Sequence, residues 1–182
     1  MPRAALYVVA LLAAIGGDVD AADTPDAAVQ RADQLKAGYL LSFVKFVDWP
    51  SSVPANLVTV CFVGGKGVRD ALASGIENKM AGERHLAVRT LSDSETPVGC
   101  NVLYLDAAMM PEGAHEPNTG ESPILTVSDA KAFAHIGGMI ELFTAANHLR
   151  FNINVASAQK AGLHISASLL QLAAVVEQAT PQ

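Results

Sequence analysis

LRFNINVASAQKAGLHISASLLQLAA, residues 149–174, is the stretch that indicates most about how this chain folds. Apolar and polar residues alternate over its first seven positions, with the apolar ones at Leu149, Phe151, Ile153 and Val155. A period of two is typical of a β-strand with one buried and one polar face. The sequence therefore predicts a strand at the start of this stretch.

The rest of the stretch predicts two helices. Residues 156–161 favour a short helix, which Gly162 is placed to end in the left-handed conformation. Ser166 can cap a second helix. The apolar residues of that helix recur at helical spacing: Leu169, Leu170, Ala173 and Val176. We expect the strand and helices to pack on one sheet and close the core.

Length and composition indicate one globular domain. The chain has 182 residues, of which 51% are hydrophobic and 16% are charged, a balance that disordered chains do not have. Its net charge of −6 provides no electrostatic attraction for nucleic acid or for an anionic membrane surface.

The N-terminus has the pattern of a secretory signal peptide. Arg3 precedes an uncharged apolar run over residues 4–15, and Val19 and Ala21 suit the −3 and −1 positions of a cleavage site. The alternative is an uncleaved anchor, but twelve residues are too few to span about 30 Å of hydrocarbon. We predict a cleaved signal peptide at 1–21, a flexible leader at 22–30 and a single domain at 31–178, without a membrane span in the mature protein.

Cys61 and Cys100 are the two cysteines of the chain. An even pair in an oxidising compartment is expected to form a disulfide, which would stabilise the fold by roughly 4 kcal/mol for a loop of about 40 residues. Two buried free thiols are the alternative. Neither cysteine is part of a CxxC motif or has a neighbouring histidine, so a catalytic thiol is not favoured.

Along the rest of the chain, helical and strand patterns alternate. A helix is predicted over 28–47, ended by Trp49-Pro50. Further strands are predicted at 57–63, 85–91, 101–105, 123–127 and 139–143, the last in a hairpin with the final strand, and further helices at 68–74 and from Ser128-Asp129 to Phe133. The predicted fold is a layered α/β domain. It has a mostly parallel central sheet of five to six strands, an antiparallel edge hairpin, and helices on its faces.

Small and acidic residues follow several predicted strands, at the edge where open α/β sheets bind ligands. They predict a ligand pocket formed by Gly64, Gly65, Asp106, Ser128 and Asp129. The glycines also suit an ordinary strand-to-helix turn, since no complete phosphate-binding motif is present. The aspartates also suit a helix cap and a turn.

The five histidines are scattered, without metal-ligand spacing, so we predict no metal, no cofactor and no enzyme site.

The last hairpin carries a polar row formed by Glu141, Arg150, Asn152 and Asn154. Cross-strand pairing and solvation explain such a row. Recognition of a partner is the alternative, because edge hairpins are common docking surfaces.

Six segments in order give the chain a resemblance to a known family. They are YLLSFVKFVDWP (39–50), VTVCFVGG (58–65), CNVLYLD (100–106), PILTVSD (123–129), GGMIEL (137–142) and RFNINVASAQKAGLHISASLLQLA (150–173). Together they resemble the YfiR/HmsC-like periplasmic proteins.

The resemblance implies a secreted regulator in the periplasm of a Gram-negative bacterium. Its best-known members bind the periplasmic sensor domain of a membrane diguanylate cyclase and repress it, which lowers cyclic-di-GMP and biofilm formation. Cys61 and Cys100 match the inter-element disulfide of the family, whereas the second cysteine pair of YfiR-type members has no counterpart near His135 and Leu142. A redox sensor built on a second, labile disulfide is therefore not expected.

The candidate partner contacts of this chain are the polar row and the outward face of the final helix, near Gln171, Glu177 and Gln178. The sequence does not decide between a monomer and a homodimer. The alternative function is a periplasmic small-ligand binder, or an accessory sensor for another signalling system.

Overall fold

The computed structural model describes residues 24–76, 84–110, 119 and 122–177. The predicted signal peptide and Gln178 lie outside these residues. The helices are α1 (Pro25–Phe46), α2 (Lys66–Ile76), α3 (Val155–Lys160) and α4 (Ala167–Leu170), with a 3₁₀ helix at Ala107–Met109. The strands are β1 (Val47–Asp48), β2 (Leu57–Val63), β3 (His85–Leu91), β4 (Val102–Leu105), β5 (Leu125–Ser128), β6 (Ile140–Ala145), β7 (His148–Asn154), β8 (His164–Ile165) and β9 (Val175–Glu177).

Seven strands form the main sheet, in the order β3-β2-β4-β5-β6-β7-β9. Every neighbouring pair is parallel except the β6–β7 hairpin. The predicted α/β class, with a mostly parallel sheet and one antiparallel hairpin, is confirmed. A separate two-stranded antiparallel sheet joins β1, directly after α1, to β8.

The N-terminal helix begins three residues earlier than predicted. Thr24 accepts a hydrogen bond from the amide of Ala27 through its side chain, and Pro25 occupies the first turn, a position that suits proline because its missing N–H is not needed there. Residues 25–30, predicted as part of a flexible leader, are therefore helical.

The C-terminal helix is much shorter than predicted. Ser166 caps it as expected, accepting from the amide of Leu169, but the helix ends at Leu170. The amide of Ala174 then donates to the carbonyl of Phe151, and Val175–Glu177 pair with β7 as a parallel strand. β-Branched valines suit this outer strand better than a helix. The prediction of a helix through Val176 is wrong, and the hairpin lies one strand inside the edge of the sheet.

The short helix predicted to start at Ser128-Asp129 is also absent. Residues 131–137 form successive turns, with Ala132 at a φ of 63° that no α-helix contains. The carboxylate of Glu141 on β6 accepts hydrogen bonds from the amides of Ala132 and Ala134. A tertiary acceptor therefore replaces the helical hydrogen bonds that the local sequence favours.

The main core lies on one face of the sheet, beneath α1. Phe43 on α1 packs edge-on against Phe151 of β7 at 5.3 Å between ring centroids, and both side chains are buried. All four helices contribute buried residues to this core. The alternation of β7 is confirmed on this face, because Phe151 and Ile153 are both buried there.

Within the described residues, no helix is both long and apolar enough to span a membrane.

Candidate functional site

The two cysteines form a disulfide on the second face of the sheet. Cys61 lies in β2 and Cys100 just before β4, and their sulfurs are bonded. Both residues are buried, in a small cluster completed by Val63, Leu91, Leu103 and Ile124. The bridge therefore links neighbouring strands, and the predicted pairing of Cys61 with Cys100 is confirmed.

The predicted pocket residues do meet at the carboxyl edge of the sheet, where β2, β4 and β5 end. The turn after β2 has Gly64 and Gly65 at φ values of 71° and 58°. A Cβ atom at Gly64 would lie 2.5 Å from Cγ of Met109, and one at Gly65 would lie 2.6 Å from Cε1 of Tyr104. Both glycines are needed for the positive φ and for this close packing.

The polar pocket residues are bonded within the chain. Ser128 donates through its hydroxyl to the carbonyl of Leu105 at 2.7 Å and accepts from the amide of Ala130. Asp106 caps the 3₁₀ helix by accepting from the amide of Ala108. These bonds explain the two residues as turn and cap residues. Whether this edge binds a ligand stays a prediction.

Asp129 has a different role from the helix cap that was predicted. One carboxylate oxygen accepts from the amide of Ala107 at 2.9 Å, and the other accepts from Nζ of Lys36 at 2.5 Å. This ion pair is largely buried, with side-chain exposures of 19% and 18%. It fixes the middle of α1 to the end of β5.

Lys36 belongs to a charged group that we call the carboxyl-edge cluster: Asp33, Lys36, Tyr104, Asp106 and Asp129. Burial raises the pKa of Asp33, and the charges of Asp106 and Asp129 raise it further against the opposing effect of Lys36. The pKa of Tyr104 is also raised, first by burial and then by Asp129 and Asp106. The cluster therefore holds more carboxylates than cations.

Tyr104 is the buried aromatic member of the carboxyl-edge cluster. Its side chain is fully buried, and its hydroxyl interacts with the carboxylate of Asp129, which contributes to the raised pKa.

The sequence patterns did not identify Asp33, Lys36 and Tyr104 as members of this cluster. A signal was present, since Asp33 and Lys36 lie one turn before the buried residues Ala37 and Leu40 on the same face of α1. Charged residues that continue a buried helical stripe need a partner in the core. That partner, Asp129, is 93 residues away, so no local pattern identifies it.

Two surface cavities flank α1. The α1–α2 groove has a volume of about 450 Å³ and is lined by Asp26, Val29, Gln30, Asp33, Gln34, Gly67, Asp70, Ala71 and Ser74. A smaller cavity of about 230 Å³ lies between α1 and the hairpin, against Leu35, Lys36 and Leu149. Neither is lined by the five predicted pocket residues. In the part of the chain that the structure describes, no three metal-ligating side chains are placed to hold an ion.

The predicted polar row is mostly internal. Glu141 is buried beneath residues 132–134. Asn154 is buried too, donating to the carbonyl of Ala134 and accepting from the amide of Ser157 at the start of α3. Solvation therefore does not explain these two residues of the row, because residues 132–134 bond to them on this part of the second face.

The outer end of the polar row is accessible. Arg150 is exposed and Asn152 is half-buried, with a buried Oδ1 that has no partner. In β9, Val175 pairs with Asn152 and Glu177 with Asn154, so these side chains share the second face of the sheet. Glu177 lies 3.5 Å from Nδ1 of His135. Gln171 is exposed, in the turn before β9 rather than on a helix.

Comparison with known proteins agrees with this architecture. A family model described as YfiR/HmsC-like matches residues 33–174. Among solved structures, a conserved domain protein of Vibrio cholerae is similar at a TM-score of 0.50 and 11% sequence identity. The similar region covers 80% of this chain and 60% of that one, so this chain accounts for less than two thirds of the solved protein, and the similarity concerns the fold alone.

Proposed function

Since the chain belongs to the YfiR/HmsC-like family, we propose that it binds and represses the periplasmic sensor domain of a membrane diguanylate cyclase. The family consists of periplasmic regulators of diguanylate cyclase signalling rather than enzymes. The family match over residues 33–174 is the observation that carries the proposal. A signal peptide at 1–21 would direct this chain to the periplasm.

A repressor of this kind acts through differential affinity. It shifts the cyclase toward the inactive state only if it binds that conformation of the sensor domain more tightly than the active one. Lower cyclase activity would lower cyclic-di-GMP and biofilm formation.

The surface that we propose for this contact is the outer second face, defined by Arg150, Asn152, Val175 and Glu177. It combines one exposed cation with an apolar residue, Val175, that is 52% exposed. Asn152 is half-buried on this face and contributes a polar side chain between Arg150 and Val175. We also propose Gln171 and Leu172, which is 69% exposed, as contacts from the turn that leads into β9.

The test is a binding measurement with the mature protein and the periplasmic domain of the cyclase encoded beside it, by isothermal titration calorimetry. We expect Arg150→Glu to weaken binding by tenfold or more, because it reverses the charge of the one cation among the four residues that define the surface. Lys45→Glu, a charge reversal near the C-terminal end of α1, is the matched control and should bind as wild type. Absence of binding to any cyclase sensor domain would refute the proposal, and equal weakening by both variants would refute the surface.

The alternative is a small-ligand binder or an accessory sensor for another signalling system. The α1–α2 groove is the observation that favours it, and it can coexist with repression because it lies on the other face of the sheet.

A further inference from the structure

We propose that Trp49 and Arg84 form a binding site for the carboxylate group of a small organic acid. The site lies at β3, and β3 and β9 form opposite edges of the main sheet, so it is separate from the outer second face. The proposal rests on two buried hydrogen-bond donors without acceptors and on the guanidinium charge beside them.

Trp49 and Arg84 are stacked at the amino-terminal end of β3. Trp49 directly follows β1, and Arg84 directly precedes β3. Cζ of Arg84 lies 5.2 Å from the centre of the Trp49 ring, which is within the range of a cation–π contact. Leu86 and Val88 of β3 pack against the main core, as Trp49 does. Since Arg84 continues the alternation of these two residues, its side chain lies on the α1 face of the sheet.

Each residue of this pair has a buried donor without an acceptor. Nε1 of Trp49 and Nη1 of Arg84 are both shielded from solvent, and neither has a hydrogen-bond partner among the residues that the structure describes. Indole and guanidinium N–H groups only donate, so no change of rotamer can pair the two with each other. Because buried donors normally have an acceptor, the pair is suited to a ligand that accepts two hydrogen bonds.

The guanidinium of Arg84 also has no counter-ion in the described part of the chain. The arginines Arg69 and Arg89 are paired with Asp70 and Glu95, but no described carboxylate lies within ion-pair distance of Arg84. Shielding a cation from water costs free energy unless an anion compensates it. The charge and the two donors therefore select an anion as the ligand.

The arrangement of the donors favours a carboxylate among the anions. Its two oxygens can accept from the two N–H groups separately, and hydrogen bonds between arginine and carboxylate are strong because both groups are charged. Since both donor atoms are shielded, the ligand has to be small, which favours a free organic acid over an acidic side chain of a partner protein. β3 is the outermost strand on its side of the sheet, so Arg84 can swing outward and admit the ligand without loss of strand pairing.

The test is an NMR titration of the ¹⁵N-labelled mature protein with sodium acetate. Trp49 is the single tryptophan of the chain, so its indole N–H gives one assignable signal. We expect this signal to move downfield and to saturate as the N–H donates to the carboxylate. Arg84→Met removes the charge and the guanidinium donors, and should weaken binding by tenfold or more. Arg84→Lys retains a cation but not the planar guanidinium, and should bind acetate several-fold more weakly if Arg84→Met does not fold.

Arg89→Met is the matched control, since it removes an exposed arginine of the same edge strand, and should bind acetate as wild type. Acetamide, which has no charge, and sodium chloride at the same concentration should give no saturable shift. The proposal would be overturned by an indole signal of the wild-type protein that does not saturate with acetate, by saturation with acetamide or chloride, or by equal affinity of the Arg84 variants and wild type.

Discussion

At the scale of single residues, Glu141 shows how an apparent surface residue stabilises the fold. Its carboxylate accepts from two amides in the turns that cover β6. Glu141→Ala leaves both N–H groups without a partner, and each costs about 1–3 kcal/mol when buried. We therefore expect the free energy of unfolding in urea to fall by about 2–4 kcal/mol, whereas Arg150→Ala should change it by no more than about 0.5 kcal/mol. Similar losses for both variants would contradict the internal role of Glu141.

Substitution by alanine should have opposite effects on stability at two of the glycines. Gly65→Ala places a methyl group against the ring of Tyr104 and a side chain at positive φ, and should destabilise the protein by about 2–4 kcal/mol. Gly38→Ala, inside α1 with nothing within 4 Å, should stabilise it by about 0.5–1 kcal/mol because alanine loses less backbone entropy in a helix. Thermal unfolding of both variants measures this difference, and a stable Gly65→Ala protein would mean that the turn is not tightly packed.

At the scale of secondary-structure elements, the sequence predicted strands better than helices. Apolar runs and alternation located β2, β3, β4 and β7 because their burial repeats along the chain itself. The helices predicted at 128–133 and through Val176 failed because distant groups decide the backbone there: Glu141 holds the first segment in turns, and the free edge of β7 takes the second as a strand. For the same reason, the alternation of β7 predicted its polar face, but no local pattern predicted that residues 130–138 cover part of that face.

The docking of α1 makes stability depend on pH through Asp33. Because its pKa is raised in the folded protein, the folded state binds this proton more tightly than the unfolded chain does. The resulting stabilisation is complete below the ordinary pKa of 3.8 and is lost as the pH rises through the folded value.

Asp33→Asn removes this dependence, since an amide does not titrate. We expect the unfolding temperature of the variant to gain on that of wild type as the pH rises above 3.8. The pKa values of Asp70 and Glu95 are lowered by ion pairs. These two residues change the unfolding temperature of both proteins equally as the pH varies, so their effect cancels in the difference between variant and wild type. A difference that is constant with pH would show that Asp33 does not titrate within the cluster.

At the scale of the whole molecule, the disulfide and α1 secure opposite faces of one sheet. Cys61 and Cys100 are 39 residues apart in sequence, and closing such a loop stabilises the fold by about 4 kcal/mol in the chain-entropy model. Both sulfurs are buried, so a reductant reaches them only when the sheet opens. The native protein should therefore resist dithiothreitol in buffer and lose the bridge quickly in moderate urea.

Once reduced, the protein should unfold at a clearly lower urea concentration, and the Cys61→Ala/Cys100→Ala variant should show no further effect of reductant. The same comparison separates a structural bridge from a regulatory one. If reduction in buffer is fast and weakens sensor-domain binding before any loss of secondary structure, the bridge is a redox switch. If binding is lost only together with the fold, the bridge acts by holding β2 and β4 in the sheet that also contains β7, the strand of Arg150 and Asn152.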